Sequence, residues 1–498
     1  MTSLSQILYK SIKTYPDNIA FNIDGENYTY FQLIQSVARI QSSLLQNNSG
    51  LNAIGIIANQ DFETYSTILA ALLSGITYIP IEPTHPDERN THIIRLSKVS
   101  SIFCSDFSGL SDEFCATNNH LFFQAEKGEK DKSELKVTQT DNPAYILFTS
   151  GSTGIPKGVP ISMDNLMAFV DNVNRMNLDI NEQSRFLQVF ELTFDLSVFS
   201  YLVPLFYGAS VFTLPKTPFK QMAAIQLIEE QSITHVLSVP SFVGYLKPFF
   251  KKITLPSIKH WLFCGEALKS DLVKEWQKSV PYAVTYNVYG PTEATIFCTS
   301  YICHQNTFKE YHGIACIGKP FKDTEFGLFE GNLPVRALET NAELCISGSQ
   351  LTSGYIDDPG KNETAFFAIE KQVFYRSGDL CRIDKDGDYF FSGRNDSQVK
   401  INGYRVEINE LEFHAQNFPG IDEAVVIVTS NNKNGQQVLN LVYTSKAELN
   451  KDEIVEFLSK KIPDYMLPGN IYPVKNIPYN LNGKIDKREL TDQIIKIN

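Results

Sequence analysis

The sequence predicts an α/β protein. A large N-terminal domain of layered α/β subdomains ends in a β-rich subdomain and is followed by a small α+β C-terminal domain. Three observations carry this expectation. Strand-like apolar runs alternate with amphipathic helical segments over the first three hundred residues, the order that builds parallel sheets covered by helices. From about Gly318 the pattern changes to short strands separated by Gly, Asn and Asp turns, as in RIDKDGDYFFSGRND. After Asp396 the alternation restarts on a smaller scale, which divides the chain into residues 1–395 and 396–498 joined by a short polar linker.

Taken in order, MTSLSQILYKSIKTYPDN opens with a mildly apolar helix that has neither a sustained apolar centre nor a cleavage site, so no signal peptide is expected. AIGIIAN (Ala53 to Asn59) reads as a buried strand, and DFETYSTILAALLSG as a helix ending at Gly75. TYIPI and SIFCS (Ser101 to Ser105) read as the next strands. The longest apolar run, Thr67 to Ile81, is interrupted by Gly75 and Pro80 and is too short to span a bilayer. The alternation returns in Ile225 to Glu230, THVLSVP and IKHWLFCGEAL. In the last hundred residues VKINGYRVEINELEFHAQNF leads to a strand at AVVIVTS, a helix around Ile454 to Lys461 and a loop-rich tail. There is no internal repeat and no low-complexity segment.

Composition narrows the function. At 498 residues and 43% hydrophobic content the chain can bury a large core and split into two or more domains. A net charge of −12 argues against sequence-independent nucleic-acid binding, which needs a basic footprint, yet leaves room for a small anion at a local Lys or Arg. The eight cysteines contain no CxxC pair and no disulfide-like rhythm, so a reducing cytoplasm is expected and a structural zinc is not.

Four segments carry chemistry. YILFTSGSTGIPKG places Ser150, Ser152 and Thr153, two glycines and Lys157 behind a strand-like run, giving many donors on a backbone that can approach an anion. It is not a Walker loop, because Lys157 lies between Pro156 and Gly158 instead of closing G-x-x-x-x-G-K-[ST]. A surface turn needs neither that hydroxyl density nor the lysine, so a polyphosphate is expected here. NVYGPTEAT offers Thr292 and Glu293 as oxygen ligands for a hard cation such as Mg²⁺, with Tyr289 available to stack on a base; alone it also reads as a capped turn. YRSGDL presents Asp379, a carboxylate that can accept both ribose hydroxyls, or a plain turn residue. Lys484, in NGKIDK, reads by itself as a solvated charge.

Together, FTSGSTGIPKG, FDLSV, YGPTEAT, YRSGDL, GRNDSQVKINGYRVE and NGKIDK resemble the adenylate-forming superfamily of acyl-CoA synthetases, luciferases and nonribosomal peptide synthetase adenylation domains, over nearly the whole chain and in the family's order. The resemblance implies two half-reactions: acyl-AMP and pyrophosphate are formed from ATP, then the acyl group passes to a thiol. It also implies a mobile C-terminal domain. By matching motifs, Thr149, Ser150, Gly151, Ser152, Thr153 and Lys157 would serve the β- and γ-phosphates. Asn287 and Tyr289 would flank the adenine, with Gly290 and Thr292 in the same turn, and Gly265 and Glu266 close by. Asp379 would hold the ribose, Arg394 would sit near the nucleotide and Glu293 would bind Mg²⁺. Lys484 would be the adenylation lysine, stabilising charge at the reacting α-phosphate. Asp396 matches the hinge, and Gly403 the segment that faces the thiol tunnel once the small domain has turned.

The substrate is read from the same resemblance. Asp195, in LTFDLSVFS, stands where amino-acid-activating members hold the α-ammonium group, a charge-assisted contact that fatty- and aryl-acid enzymes do not need. The matching pocket positions Leu196, Phe199, Ser238, Leu262, Cys264, Val288, Ile296 and Phe297 are apolar or small with no second charge, so a small uncharged amino acid is expected. FDLSV and FCGEAL look most like the D-alanine:carrier protein ligases, which makes D-alanine the leading candidate and a phosphopantetheinylated carrier protein the partner. Phe199 departs from the Met expected in those ligases, so peptide-synthetase-type activation of another apolar amino acid stays open, with acyl-CoA or aryl-acid ligation behind it. A monomer with no nucleic-acid or membrane partner is expected.

Overall fold

Local chemistry sets the limits of the third helix, Phe62–Ser74. Asp61 accepts the N–H of Thr64 at its start, and Gly75 ends it at φ 67°, where a glycine meets no Cβ penalty. The next strand, Thr77–Ile81, pairs in parallel with Ala53–Ile57, the β-helix-β order expected from the sequence. The computed structural model describes residues 4–47, 51–123, 135–151, 155–305, 307–430, 437–478 and 485–497. They pack as two units, one comprising 1–83, 93–148 and 158–395, the other 84–92, 149–157 and 396–498.

The first unit is built on three sheets. A nine-stranded sheet has six parallel strands at its centre, in the order Val284–Tyr289, His260–Phe263, His235–Ser238, Arg185–Gln188, Ser210–Thr213 and Ile19–Ile23, with antiparallel strands at its edges. A six-stranded sheet runs Phe122–Phe123, Ile102–Phe103, Ala53–Ile57, Thr77–Ile81, Tyr145–Thr149 and Lys157–Ile161. SIFCS contributes only Ile102–Phe103 to it. Helices cover the sheets because their apolar stripes recur every three or four residues: Met163–Asn174 buries Leu166, Phe169, Val170 and Val173. Phe169 joins one core with Leu33 and Leu69 from other helices and Phe21, Tyr145 and Phe186 from strands. The third sheet is antiparallel and contains Thr324–Glu330, Ala342–Gly348, Gln372–Ile383 and Tyr389–Arg394, which is the β-rich region expected after Gly318.

The second unit is α+β. Strands Gln398–Ile401 and Tyr404–Glu407 meet at Asn402-Gly403, both with positive φ, the two-residue turn that Asn-Gly favours. Helix Ile408–Gln416 follows, then a sheet of Ile421–Ser430, Gln437–Ser445 and Asn470–Pro473 with helices Lys451–Ser459 and Lys487–Ile497. Among the described residues no helix is long and apolar enough to cross a membrane.

Candidate functional site

In the first unit the sheets bring YGPTEAT and YRSGDL together. Tyr289 ends a parallel strand, and its hydroxyl donates to Asp379 Oδ2 at 2.5 Å. The other carboxylate oxygen of Asp379 accepts Arg394 Nη1, and Arg394 Nη2 donates to the Ser377 carbonyl at 3.1 Å. Antiparallel register sets this pair, since Asp379 lies directly opposite Arg394. Burial, followed by the charge of Asp379, raises the Tyr289 pKa well above its usual value, so the phenol keeps its proton and donates. Asn287 Nδ2 donates to the carbonyls of Cys316 at 2.9 Å and Ala315 at 3.3 Å. Nearby in sequence to the strand His260–Phe263, Gly265 takes φ 87° and Glu266 accepts both the N–H and the hydroxyl of Ser241.

The turn after Tyr289 is tightly built. Gly290 is required by sterics, because a Cβ there would lie 2.4 Å from the Phe297 Cα. Thr292–Ala294 forms a single 3₁₀ turn, in which Glu293 is fully buried and accepts the Tyr355 hydroxyl at 2.6 Å. Thr295 and Ile296 then adopt φ of 55° and 71°, a strained region for β-branched residues. Gln350 holds them there: its Nε2 donates to the carbonyls of Ala294 (3.2 Å), Thr295 (3.2 Å) and Phe297 (3.0 Å). The Thr295 hydroxyl returns a 2.6 Å bond to the Gln350 carbonyl. Neither Gln350 nor Tyr355 was visible as a site residue in the sequence, because QLTSGY carries no pattern that announces either role.

Asp195 opens the helix Leu196–Leu202 without capping its N–H groups through the side chain, and it is 5% exposed. Its charge is felt by Tyr145, whose pKa is raised first by burial and then by Asp195. Leu196, Phe199, Ser238, Leu262, Cys264, Val288, Ile296 and Phe297 are all buried.

The second unit holds the ends of the Thr/Ser/Gly-rich loop. Lys157 Nζ lies 3.3 Å from Glu407 Oε1, an oxygen that also accepts Gln398 Nε2 at 2.5 Å. The Ser150 hydroxyl donates to the Arg405 carbonyl at 2.6 Å, and the Gly151 N–H to Glu410 Oε2 at 3.2 Å. Arg89 pairs with Glu410 at 3.0 Å; burial nevertheless leaves the Glu410 pKa raised. The Thr149 hydroxyl is buried and has no partner among the described residues. Asp396 accepts the Gln398 N–H at 3.1 Å, and Gly403 sits in the Asn-Gly turn. Ser152, Thr153 and Lys484 lie outside the described residues.

Residues 8–356 match the AMP-binding enzyme family, and residues 410–484 match the AMP-binding enzyme C-terminal domain. The D-alanine–D-alanyl carrier protein ligase of Lacticaseibacillus paracasei is 30% identical over 96% of this chain and 97% of its own. Gramicidin S synthase 1 of Brevibacillus brevis is 28% identical over 98% of this chain and 44% of its own length. Among solved structures, the Vibrio cholerae adenylation domain AlmE, determined with glycyl-adenosine-5'-phosphate, superposes with a TM-score of 0.86 at 24% identity over 100% of this chain and 98% of its own.

Proposed function

The chain belongs to the AMP-binding enzyme family, and from that premise we propose that it activates a small uncharged amino acid, D-alanine first, with ATP and passes the aminoacyl group to the phosphopantetheine thiol of a carrier protein. In the first step a carboxylate oxygen of the amino acid attacks the α-phosphorus and pyrophosphate leaves. In the second the thiol sulfur attacks the acyl carbon and AMP leaves. In the first step the substrate carboxylate is already ionised near pH 7, so alignment and charge neutralisation do the work without a general base; in the second the thiol proton is released as the thioester forms.

The chain's own residues would perform those tasks. Asp379, oriented by Tyr289 and Arg394, would accept the ribose hydroxyls through its remaining lone pairs. The Thr149 hydroxyl, which has no partner among the described residues, would with the Gly151 N–H and Lys157 make a donor set that suits a polyphosphate. Glu293 would hold Mg²⁺, which neutralises phosphate charge when bound. Lys484 would neutralise charge at the reacting phosphate.

Asp195 carries the amino-acid reading. A nearly buried carboxylate at the start of helix Leu196–Leu202 is suited to a charge-assisted contact with an ammonium group, which an aryl or fatty acid does not offer. Phe199 favours a second reading, activation of another apolar amino acid in peptide assembly, in line with the gramicidin synthase relative. The test is pyrophosphate release from ATP and magnesium across D- and L-alanine, glycine, serine, larger apolar amino acids, aryl acids and fatty acids. D-alanine preference supports the first reading and another amino acid the second. Activity with aryl or fatty acids alone removes the role given to Asp195.

A further inference from the structure

The nine side chains assigned to the amino-acid pocket leave almost no surface that a water molecule can touch; Asp195, at 5%, is the most exposed. The closure has identifiable causes. The Phe297 ring meets Phe169 edge-on at 4.9 Å and 76°, and lies 5.5 Å from Phe199. Phe199 is backed by Phe186 at 5.9 Å, which stacks on His235 at 4.5 Å. Burial lowers the His235 pKa to about 3, so that support stays uncharged at working pH.

Phe297 is held by its backbone as well. Gln350, itself buried, bonds the Phe297 carbonyl together with those of Ala294 and Thr295. Its Oε1 accepts Asn172 Nδ2 at 2.9 Å, and Asn172 stands one turn beyond Phe169 on the same helix. That helix therefore fixes the Phe297 ring through Phe169 and the Phe297 backbone through Asn172 and Gln350. Ser238 is similarly fixed, since its hydroxyl accepts Trp261 Nε1 at 3.0 Å and Trp261 packs edge-on against Trp276.

We propose that Phe169 and Gln350, neither of which is among the residues assigned to the pocket, are positioning residues that set its size limit by immobilising Phe297, so that the accepted side chain is a hydrogen atom or a methyl group. This rests on the amino-acid-activating reading above. A bulkier substrate would have to displace a ring held by neighbouring rings and by a left-handed backbone turn. Close-packed interiors resist such displacement even at the scale of one methylene.

The test is the ratio of kcat/KM for leucine to that for the best small amino acid, measured by pyrophosphate release with glycine, both alanine enantiomers, and both enantiomers of valine and leucine. A ratio between substrates is insensitive to the fraction of enzyme folded, so a purely structural loss does not move it. Wild type is expected to favour glycine or alanine over leucine by about 100-fold or more, given discrimination of about 10–200-fold per methylene. Phe169→Ala and Gln350→Ala should each raise the leucine ratio by about tenfold or more, with Phe169→Leu, which keeps most of the volume, between wild type and Phe169→Ala. Wild-type use of leucine on a par with alanine overturns the proposal, as does an unchanged ratio in folded Phe169→Leu and Gln350→Ala. Pyrophosphate release with aryl or fatty acids and with no amino acid overturns the amino-acid reading itself, and the size limit falls with it.

Discussion

Replacing Lys309 with methionine should destabilise the first unit in a pH-dependent way. The Lys309 ammonium donates to Asp384, Asp386 and Asp388 at 2.7, 2.8 and 2.6 Å, tying its segment to the turn that joins the strands of Asp379 and Arg394. The lysine side chain is 35% exposed, so each contact deserves a surface value of about 0.2–1 kcal/mol, and the cluster about 2 kcal/mol once the mutual repulsion of the carboxylates in the variant is included. Unfolding entropy scales with chain length, and for a unit of about 380 residues that loss corresponds to a Tm about 2–3 °C lower at pH 7. The bond to Asp384, then those to Asp386 and Asp388, raise the Lys309 pKa; this contribution is complete below the unfolded lysine value of about 10.4 and is lost as pH rises through the folded one. Burial opposes the charge on Asp384, but the Lys309 bond and two backbone N–H groups outweigh it and lower its pKa. Its contribution is therefore complete above about pH 3.9 and lost as pH falls through the folded value. The difference between wild type and Lys309→Met, followed by thermal melts, should hold from about pH 4 to pH 10, shrink as pH falls from about 3.9 through the lowered Asp384 value, and shrink in 1 M salt. Equal melting at pH 7, or a gap that does not shrink as pH is lowered below about 4, would refute the assignment.

Lys484→Ala should slow pyrophosphate release by about 10²–10³-fold while ATP binding, read by calorimetry, changes little; near-normal release would exclude its role in the chemical step. Asp195→Ala should raise the amino-acid KM by about 10–100-fold, the worth of a charged hydrogen bond, and leave the ATP KM alone; equal changes in both would instead point to general damage. Gly290→Ala should lower stability by about 2–3 kcal/mol in urea unfolding, because its Cβ would strike the Phe297 Cα. A variant as stable as wild type would mean that the turn relaxes freely.

Elements defined by neighbouring residues were legible in the sequence. Asp61 and Gly75 bracket a helix because caps act over three or four residues, whereas the Asn402-Gly403 hairpin, whose φ values suit those residue types, emerged only in the structure. SIFCS reads as a longer strand than the two residues that pair, since β-branched and aromatic composition does not specify where a partner strand stops. The motif residues around Tyr289 and Asp379 were legible by resemblance. Gln350, Tyr355 and Phe169 were not, because their roles arise only on folding: Gln350 reaches Ala294 across 56 residues and Tyr355 reaches Glu293 across 62. No local pattern distinguishes such a glutamine or tyrosine from an ordinary buried one.

Several charged groups assigned to ligands already have protein partners. Asp379 is paired with Arg394 and Tyr289, Glu293 with Tyr355, Glu266 with Ser241, and Lys157 with Glu407. An unpaired buried charge is destabilising by several kcal/mol, so each of these groups, in the role proposed for it, would need a protein counter-group between turnovers. Those partners also reduce the net gain on binding, since each ligand contact that replaces a protein contact contributes only the difference between them. For Lys157 a phosphate would have to compete with Glu407, which Gln398 also holds by a 2.5 Å bond. Glu407→Gln removes the competing charge but keeps an acceptor near Lys157, so the ATP KM should fall in pyrophosphate release; an unchanged KM would mean that Lys157 is not a phosphate ligand in the rate-limiting complex.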